Sequence, residues 1–221
     1  MPTQSADFIA DCIDGALQAK LAKSPPEKRV HGDRMAFSMI SGVCIKGKVC
    51  KPAPCDVTLG DIRTWFSSEL EYEVVEMPGR IVRELLEKCV AGMAPDGSAE
   101  CPTTPHCSAG LSFTADLTKP AKDRVGRCEI HGKPILDDKV YYVGIDAAYT
   151  GRGKAVRSIK ALPRLIDHED GVEAMATIVN WFGELRDDDA DHLVAVLDGQ
   201  LREIQPRVSS MVLLRQQADH P

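Results

Sequence analysis

The run Arg80–Ala91 leaves its fold little choice. Ile81, Val82, Leu85, Leu86, Cys89 and Val90 recur at helical spacing, while charged residues fill the gaps. Such a helix must bury one face, and here that face is read as core rather than as a partner surface. Pro78-Gly79 introduces it, since Pro sets the entry and cannot sit further inside. Residues 6–22 repeat the pattern with Phe8, Ile9, Cys12, Ile13, Ala16, Leu17 and Leu21. Residues 171–185 do so with Val172, Met175, Ile178, Val179 and Phe182.

Between these helices the period drops to two. Met35–Ile40 reads as a strand. Leu70–Met77 alternates Leu70, Tyr72 and Val74 against Glu71 and Glu73, and reads as a half-exposed strand. Its phase slips at Val74-Val75, the sign of a bulge or of burial on both faces. Asp61–Phe66 reads as a short helical turn, with Trp65 and Phe66 assigned to the core. Leu111–Thr114 and Val125–Ile130 are further strands. His131-Gly132-Lys133-Pro134 makes a tight turn, after which Val140–Ile145 is expected to pair back. Residues 24–29, 46–55, 94–109 and 162–170 read as loops or linker, being rich in Pro, Gly, Lys or acidic residues. Past Asp187-Asp188-Asp189, the pattern Leu193, Val194, Leu197, Leu201 and Ile204 predicts another helix. Val208–Leu214 is apolar and suited to dock on the domain or on a partner.

With 221 residues, the chain has room for one domain with an appendage. Its net charge of −6 and lack of a long basic run disfavour sequence-independent nucleic-acid binding. No apolar run is long enough to span a bilayer, and the first residues do not read as a signal peptide. The eight cysteines, at 12, 44, 50, 55, 89, 101, 107 and 128, show no C-x2-C pair. Cys101 with Cys107, or Cys44 with Cys50 and Cys55, could close a disulfide or supply metal ligands. Cys12 and Cys89 lie on apolar helix faces and read as buried free thiols. His131 is read as a turn residue. His168-Glu169-Asp170 is read as the acidic approach to a helix rather than a metal site. No Gly-x-Ser-x-Gly elbow surrounds Ser41, so a serine nucleophile has no support, and no catalytic residue is assigned.

One stretch stands out chemically. Ser41-Gly42-Val43-Cys44-Ile45-Lys46 follows the strand at 35–40, placing a small-residue turn before a cation. Backbone N–H groups freed at such a turn, with Lys46 beside them, suit an anion. After a Pro- and Lys-rich loop comes Cys55-Asp56-Val57-Thr58-Leu59-Gly60-Asp61-Ile62. Together these resemble the ligand-binding signature of the 5'-nucleotidase family's C-terminal domain, an Asn-Gly-Gly-Gly-Ile-Arg motif followed by Gly-Asp-Ile-Thr-Tyr-Gly-Asp-Leu. The second segment matches closely. The first keeps its frame but loses Asn and two Gly, and has Lys for Arg. The resemblance runs on to Pro78-Gly79-Arg80. It returns at Gly110-Leu111-Ser112-Phe113, Arg124-Val125, His131-Gly132-Lys133-Pro134 and Tyr141-Tyr142-Val143. It covers residues 2–185 and leaves 186–221 as a helical C-terminal extension.

The resemblance implies an α+β fold, a mixed β-sheet flanked by helices, here with an extra C-terminal helix. It implies a substrate-binding domain for nucleoside monophosphates or related phosphoesters. Hydrolysis would use two divalent metal ions held by a separate metallophosphatase domain, for which this chain has no room. The expectation is therefore no metal or other cofactor in this chain, no activity alone, and a nucleotide or other small phosphorylated ligand as partner. Family members are often secreted, periplasmic or at the cell surface, but the residues fix no compartment. Ser41, Gly42 and Lys46 would meet the ligand on one side, and Tyr149, Gly151 and Gly153 on the other.

The departures from the family pattern weigh against a conventional pocket. The opening Glu-Thr-Asn-x-Gly pattern is Pro2-Thr3-Gln4-Ser5-Ala6 here. Ser68 stands where the family stacks a Phe on the nucleobase, and Leu70 where it has an Asn. Its Gly-Gly-Asp-Gly loop becomes Gly151-Arg152-Gly153-Lys154, with basic residues and no Asp. These changes leave an alternative: a degenerate stand-alone binding or protein-interaction module without nucleotidase activity.

Overall fold

The computed structural model describes residues 4–44, 58–65, 70–93, 105–146, 157–184 and 211–214. Five helices are described: α1 (Gln4–Lys23), α2 (Leu59–Trp65), α3 (Gly79–Ala91), α4 (Arg157–Lys160) and α5 (Ala174–Glu184). The strands are β1 (Met35–Ser41), β2 (Glu71–Pro78), β3 (Pro105–Cys107), β4 (Leu111–Asp116), β5 (Val125–Ile130), β6 (Lys133–Pro134), β7 (Val140–Asp146), β8 (Arg164–Ile166), β9 (Val172–Glu173) and β10 (Met211–Leu214).

They form two sheets. The larger has six strands in the order β3-β1-β7-β2-β8, with β9 also paired to β2. It is mixed: β1 and β7 run parallel, and the other pairs are antiparallel. The smaller sheet has the order β10-β4-β5-β6.

The large sheet is buried on both faces, and its strands sort their side chains between two cores. Met35, Ile40, Tyr72, Val74 and Tyr142 pack with Ile9, Ile13, Leu17 and Leu21 of α1 and Ile178 of α5. Phe37, Met39, Val75, Met77, Val143 and Ile145 pack with Val82, Leu85, Leu86 and Val90 of α3 and with Phe113 and Ile130 of the small sheet. Each fully buried aliphatic or aromatic side chain contributes about 1.5–3 kcal/mol. The stripes on α1 and α3 are therefore core, as their spacing requires.

Several expectations need correcting. Val140–Asp146 does not pair back on the hairpin. It crosses to the other sheet and lies between β1 and β2. The hairpin closes instead as β5–β6, with Ile130 opposite Lys133, through His131 (φ 49°) and Gly132 (φ 72°). Two successive positive φ values define the turn type that best matches strand twist. β2 is not half-exposed: Tyr72 to Val75 are all buried, and Glu73 is only 2% exposed. Arg164 Nε lies 3.0 Å from its carboxylate and makes that burial tolerable. The register of β2 against β8 does slip between Val74 and Val75, so bulge and two-sided burial occur together. Two segments read as loop contain short strands, β3 and β8.

Cys12, Cys44, Cys89, Cys107 and Cys128 are free and buried, so Cys44 and Cys107 take no part in a disulfide. Met211–Leu214 docks on the domain, parallel to β4. The predicted helix at 190–204 and the side chains of Trp65 and Phe66 lie outside what is described.

A polar seam joins α1 to the sheet. Ser38 Oγ donates to Asp14 Oδ1 at 2.8 Å, and Ala109 N donates to Asp11 Oδ1 at 2.7 Å. Burial pushes the Asp14 carboxyl above its ordinary 3.8, against the opposing hydrogen bond from Ser38. The folded chain therefore holds this proton at pH values where the unfolded chain has released it. On this group alone, stability falls as pH rises from near 3.8 through the folded pKa, then levels off. Asp14→Asn should abolish that fall while keeping an acceptor for Ser38. Urea midpoints measured in steps from about pH 4 to about pH 7 would show it as a smaller loss of stability over that range than in the wild type.

Candidate functional site

The parallel pair β1/β7 organises one edge of the large sheet. Ser38 lies opposite Gly144 and Met39 opposite Ile145, so both strands run out together, at Ser41 and Asp146. β2 runs the other way and begins here, with Tyr72 opposite Asp146. β3 begins here too, with Pro105 opposite Ser41. Four strand ends distant in sequence thus share one edge. In open sheets, the carboxyl ends of parallel strands are where ligands gather, because side chains and loops converge there without blocking the ladder.

Ser41 is the last residue of β1 and is buried, at 5% exposure. Gly42 opens a 3-10 turn, Gly42–Cys44, that carries the chain off the edge. That turn is tied to the neighbouring strand: the Cys44 thiol donates to Asp146 Oδ2 at 3.4 Å. Burial, then the Asp146 carboxylate beside it, pushes the Cys44 thiol up to about 12. It is therefore a neutral donor, not a thiolate nucleophile.

Of the residues singled out by sequence, the structure brings Ser41 and Gly42 to this edge. Lys46, Ser68, Tyr149, Gly151 and Gly153 lie outside the described residues. Their segments are anchored at the same edge. Lys46 is two residues beyond Cys44, Ser68 two before Leu70, and Tyr149 three beyond Asp146. Leu70, at the family's Asn position, turns into the core at 3% exposure, and its carbonyl accepts from Ala174 N at 2.9 Å.

Asp146 was missed. An acidic residue directly after the apolar run Tyr141–Ile145 and before a Gly-rich loop is the available signal, since a carboxylate at the end of a central strand has to be buried with a partner. His131 is a turn residue, with Nε2 2.9 Å from the Met35 carbonyl oxygen. Among the described residues, no three His, Cys, Asp or Glu side chains are grouped to hold a metal ion. The described residues therefore do not fit the family's metal pair, and no step through a metal is derived. No helix among them is long and apolar enough to cross a membrane.

Comparisons with known proteins bear on the family and the fold. The 5'-nucleotidase C-terminal domain family model matches residues 1–157. No curated protein matches the chain by sequence. Among solved structures, a 5'-nucleotidase precursor from Thermus thermophilus superposes with a TM-score of 0.68 at 14% identity, over 100% of this chain and 38% of that one. The Haemophilus influenzae NAD nucleotidase gives 0.64 at 17% identity, over 97% and 33%. A putative 5'-nucleotidase from Staphylococcus aureus, in complex with alpha-ketoglutarate, gives 0.64 at 13% identity, over 96% and 36%. This chain thus spans about a third of the length of these proteins. At such identities the superpositions speak to the fold, while the family model speaks to descent. The chain belongs to the 5'-nucleotidase C-terminal domain family.

Proposed function

We propose that this chain is the substrate-binding part of a 5'-nucleotidase-like phosphohydrolase and holds a nucleoside monophosphate or related phosphoester at the β1/β7 edge. The observation that supports this is the convergence of the strand ends at Ser41, Tyr72 and Asp146. Each is the anchor of a segment singled out from sequence. A chain spans at most about 3.6 Å per residue, which keeps Lys46 within about 11 Å of Cys44, Ser68 of Leu70 and Tyr149 of Asp146. In this reading Lys46 meets the phosphate, Ser41 and Gly42 shape one wall, and Tyr149, Gly151 and Gly153 form the other.

Catalysis belongs to a metallophosphatase domain that carries the two divalent metal ions. The chain alone is expected to release no phosphate from AMP in the presence of Mn2+ or Mg2+. Turnover by the pure chain that disappears in Lys46→Ala would overturn this.

The Ser68 and Arg152 departures favour a second reading, a module that binds another anion or a protein and has no nucleotidase role. The same Ser68 offers a way to separate the two. A base stacked on an aromatic ring gains about 1–3 kcal/mol. Ser68→Phe should therefore tighten AMP binding by about tenfold and leave inorganic phosphate binding unchanged. A ring that changes neither would favour the second reading.

A further inference from the structure

At the opposite end of the β1/β7 pair, where both strands begin, lies a cavity of about 400 Å³. Its size is that of a small-ligand pocket. It is walled by the turn before β1, the β5–β6 hairpin and the loop before β7. These bring Arg34, Lys133 and Lys139 to one cavity, with His31, His131 and the Tyr141 ring beside them.

Three cations in one cavity are unexpected on a chain of net charge −6. Most of the acidic residues nearby are turned to arginines outside the cluster. Asp33, also on the wall, pairs with Arg29. Asp137 and Asp138, next to Lys139 in sequence, turn onto α3, at 3.1 Å from Arg83 and 3.9 Å from Arg80. Glu76 faces His31 at 3.4 Å, and Glu129 is held by Arg127 at 2.6 Å. Among the described residues, Arg34 and Lys133 have no side-chain hydrogen bond or ion pair, and Lys139 Nζ lies 5.1 Å from the Tyr141 ring centroid.

The walls are also held in place. Tyr142 Oη accepts from His31 N at 3.1 Å, Tyr141 Oη accepts from Leu136 N at 3.1 Å, and the His131 ring is fixed on the Met35 carbonyl. Both phenol oxygens are thus engaged by the protein's own backbone, leaving the cationic side chains to meet a ligand. A preordered wall with unpaired cations reduces the ordering cost of binding.

We propose that this cavity is a second binding site, separate from the β1/β7 edge, for a compact multivalent oxyanion, either a polycarboxylate or a phosphorylated small molecule. Arg34 supplies a planar two-pronged donor and Lys133 and Lys139 supply point charges, a set that suits either chemistry.

The test is calorimetric titration of the chain with citrate and, separately, with pyrophosphate. Binding of at least one probe is expected, weakened by about tenfold or more in Arg34→Ala/Lys133→Ala and unchanged in Lys46→Ala. The preferred probe identifies the ligand chemistry. Both substituted residues are exposed, so an unchanged melting temperature would show that the variant is folded. No binding of either probe at millimolar concentration would overturn the proposal, as would equal binding by the folded double variant. Loss in Lys46→Ala instead would assign the anion to the β1/β7 edge and also overturn it. AMP titrated into the double variant reads the proposed nucleotide site independently.

Discussion

Gly144→Val is expected to destabilise the chain by about 3 kcal/mol or more. A Cβ at Gly144 would stand 2.2 Å from Ser38 Oγ and 2.6 Å from Leu17 Cδ1. Neither neighbour has room to retreat. Leu17 and Ser38 are both fully buried, and Ser38 Oγ is committed to Asp14. Forcing extra methyl groups into a packed core costs about 1–3 kcal/mol. Displacing Ser38 adds the loss of a hydrogen bond to a carboxylate, about 1.5–3 kcal/mol. For a domain of this size, each kcal/mol lowers the melting temperature by about 2–4 °C. A fall of about 10 °C in a thermal melt is therefore the expected result. An unchanged melt would mean that α1 does not pack over β7 at Gly144, and the polar seam would have to be redrawn.

Lys46→Ala should weaken AMP binding by about tenfold to a hundredfold. Removing a charge-assisted hydrogen bond to a phosphate costs about 1.5–3 kcal/mol, and each step of about 1.4 kcal/mol is a factor of ten. Lys46→Arg should retain most of the affinity, because the family itself carries Arg at this place. Adenosine, which lacks the phosphate, should bind both forms equally. An equal loss for AMP and adenosine would indicate that the substitution disturbs the turn after β1 rather than a phosphate contact.

How much of this was legible in the chain follows from the kind of signal each element leaves. α1 and α3 pack one face against a core and the other against solvent, so their stripes mark them plainly. β1 is a run of apolar and small residues, and a strand buried on both faces needs no alternation. The apolar run of β7 marks a strand but not its neighbours. Sequence adjacency suggested a hairpin partner, yet burial throughout Tyr141–Asp146 marks a strand central to a sheet. β3 and β8 have three residues each, too few for any period, and sit among Pro and polar residues that read as loop. Glu73 misled the reading of β2, because its partner Arg164 stands 91 residues away. The site shows the same division. Ser41 and Gly42 were visible as a motif, but Asp146 becomes significant only once β1 and β7 are seen to end together.

The central claim is that ligand binds where β1 and β7 end. The most direct measurement is an amide NMR titration of the isotope-labelled chain with AMP. Saturable shifts are expected at Ser41–Cys44, at Leu70–Tyr72 and at Asp146, with little change at Gly132 and Lys133. Shifts confined to Arg34 and the β5–β6 hairpin, or none at millimolar AMP, would contradict it.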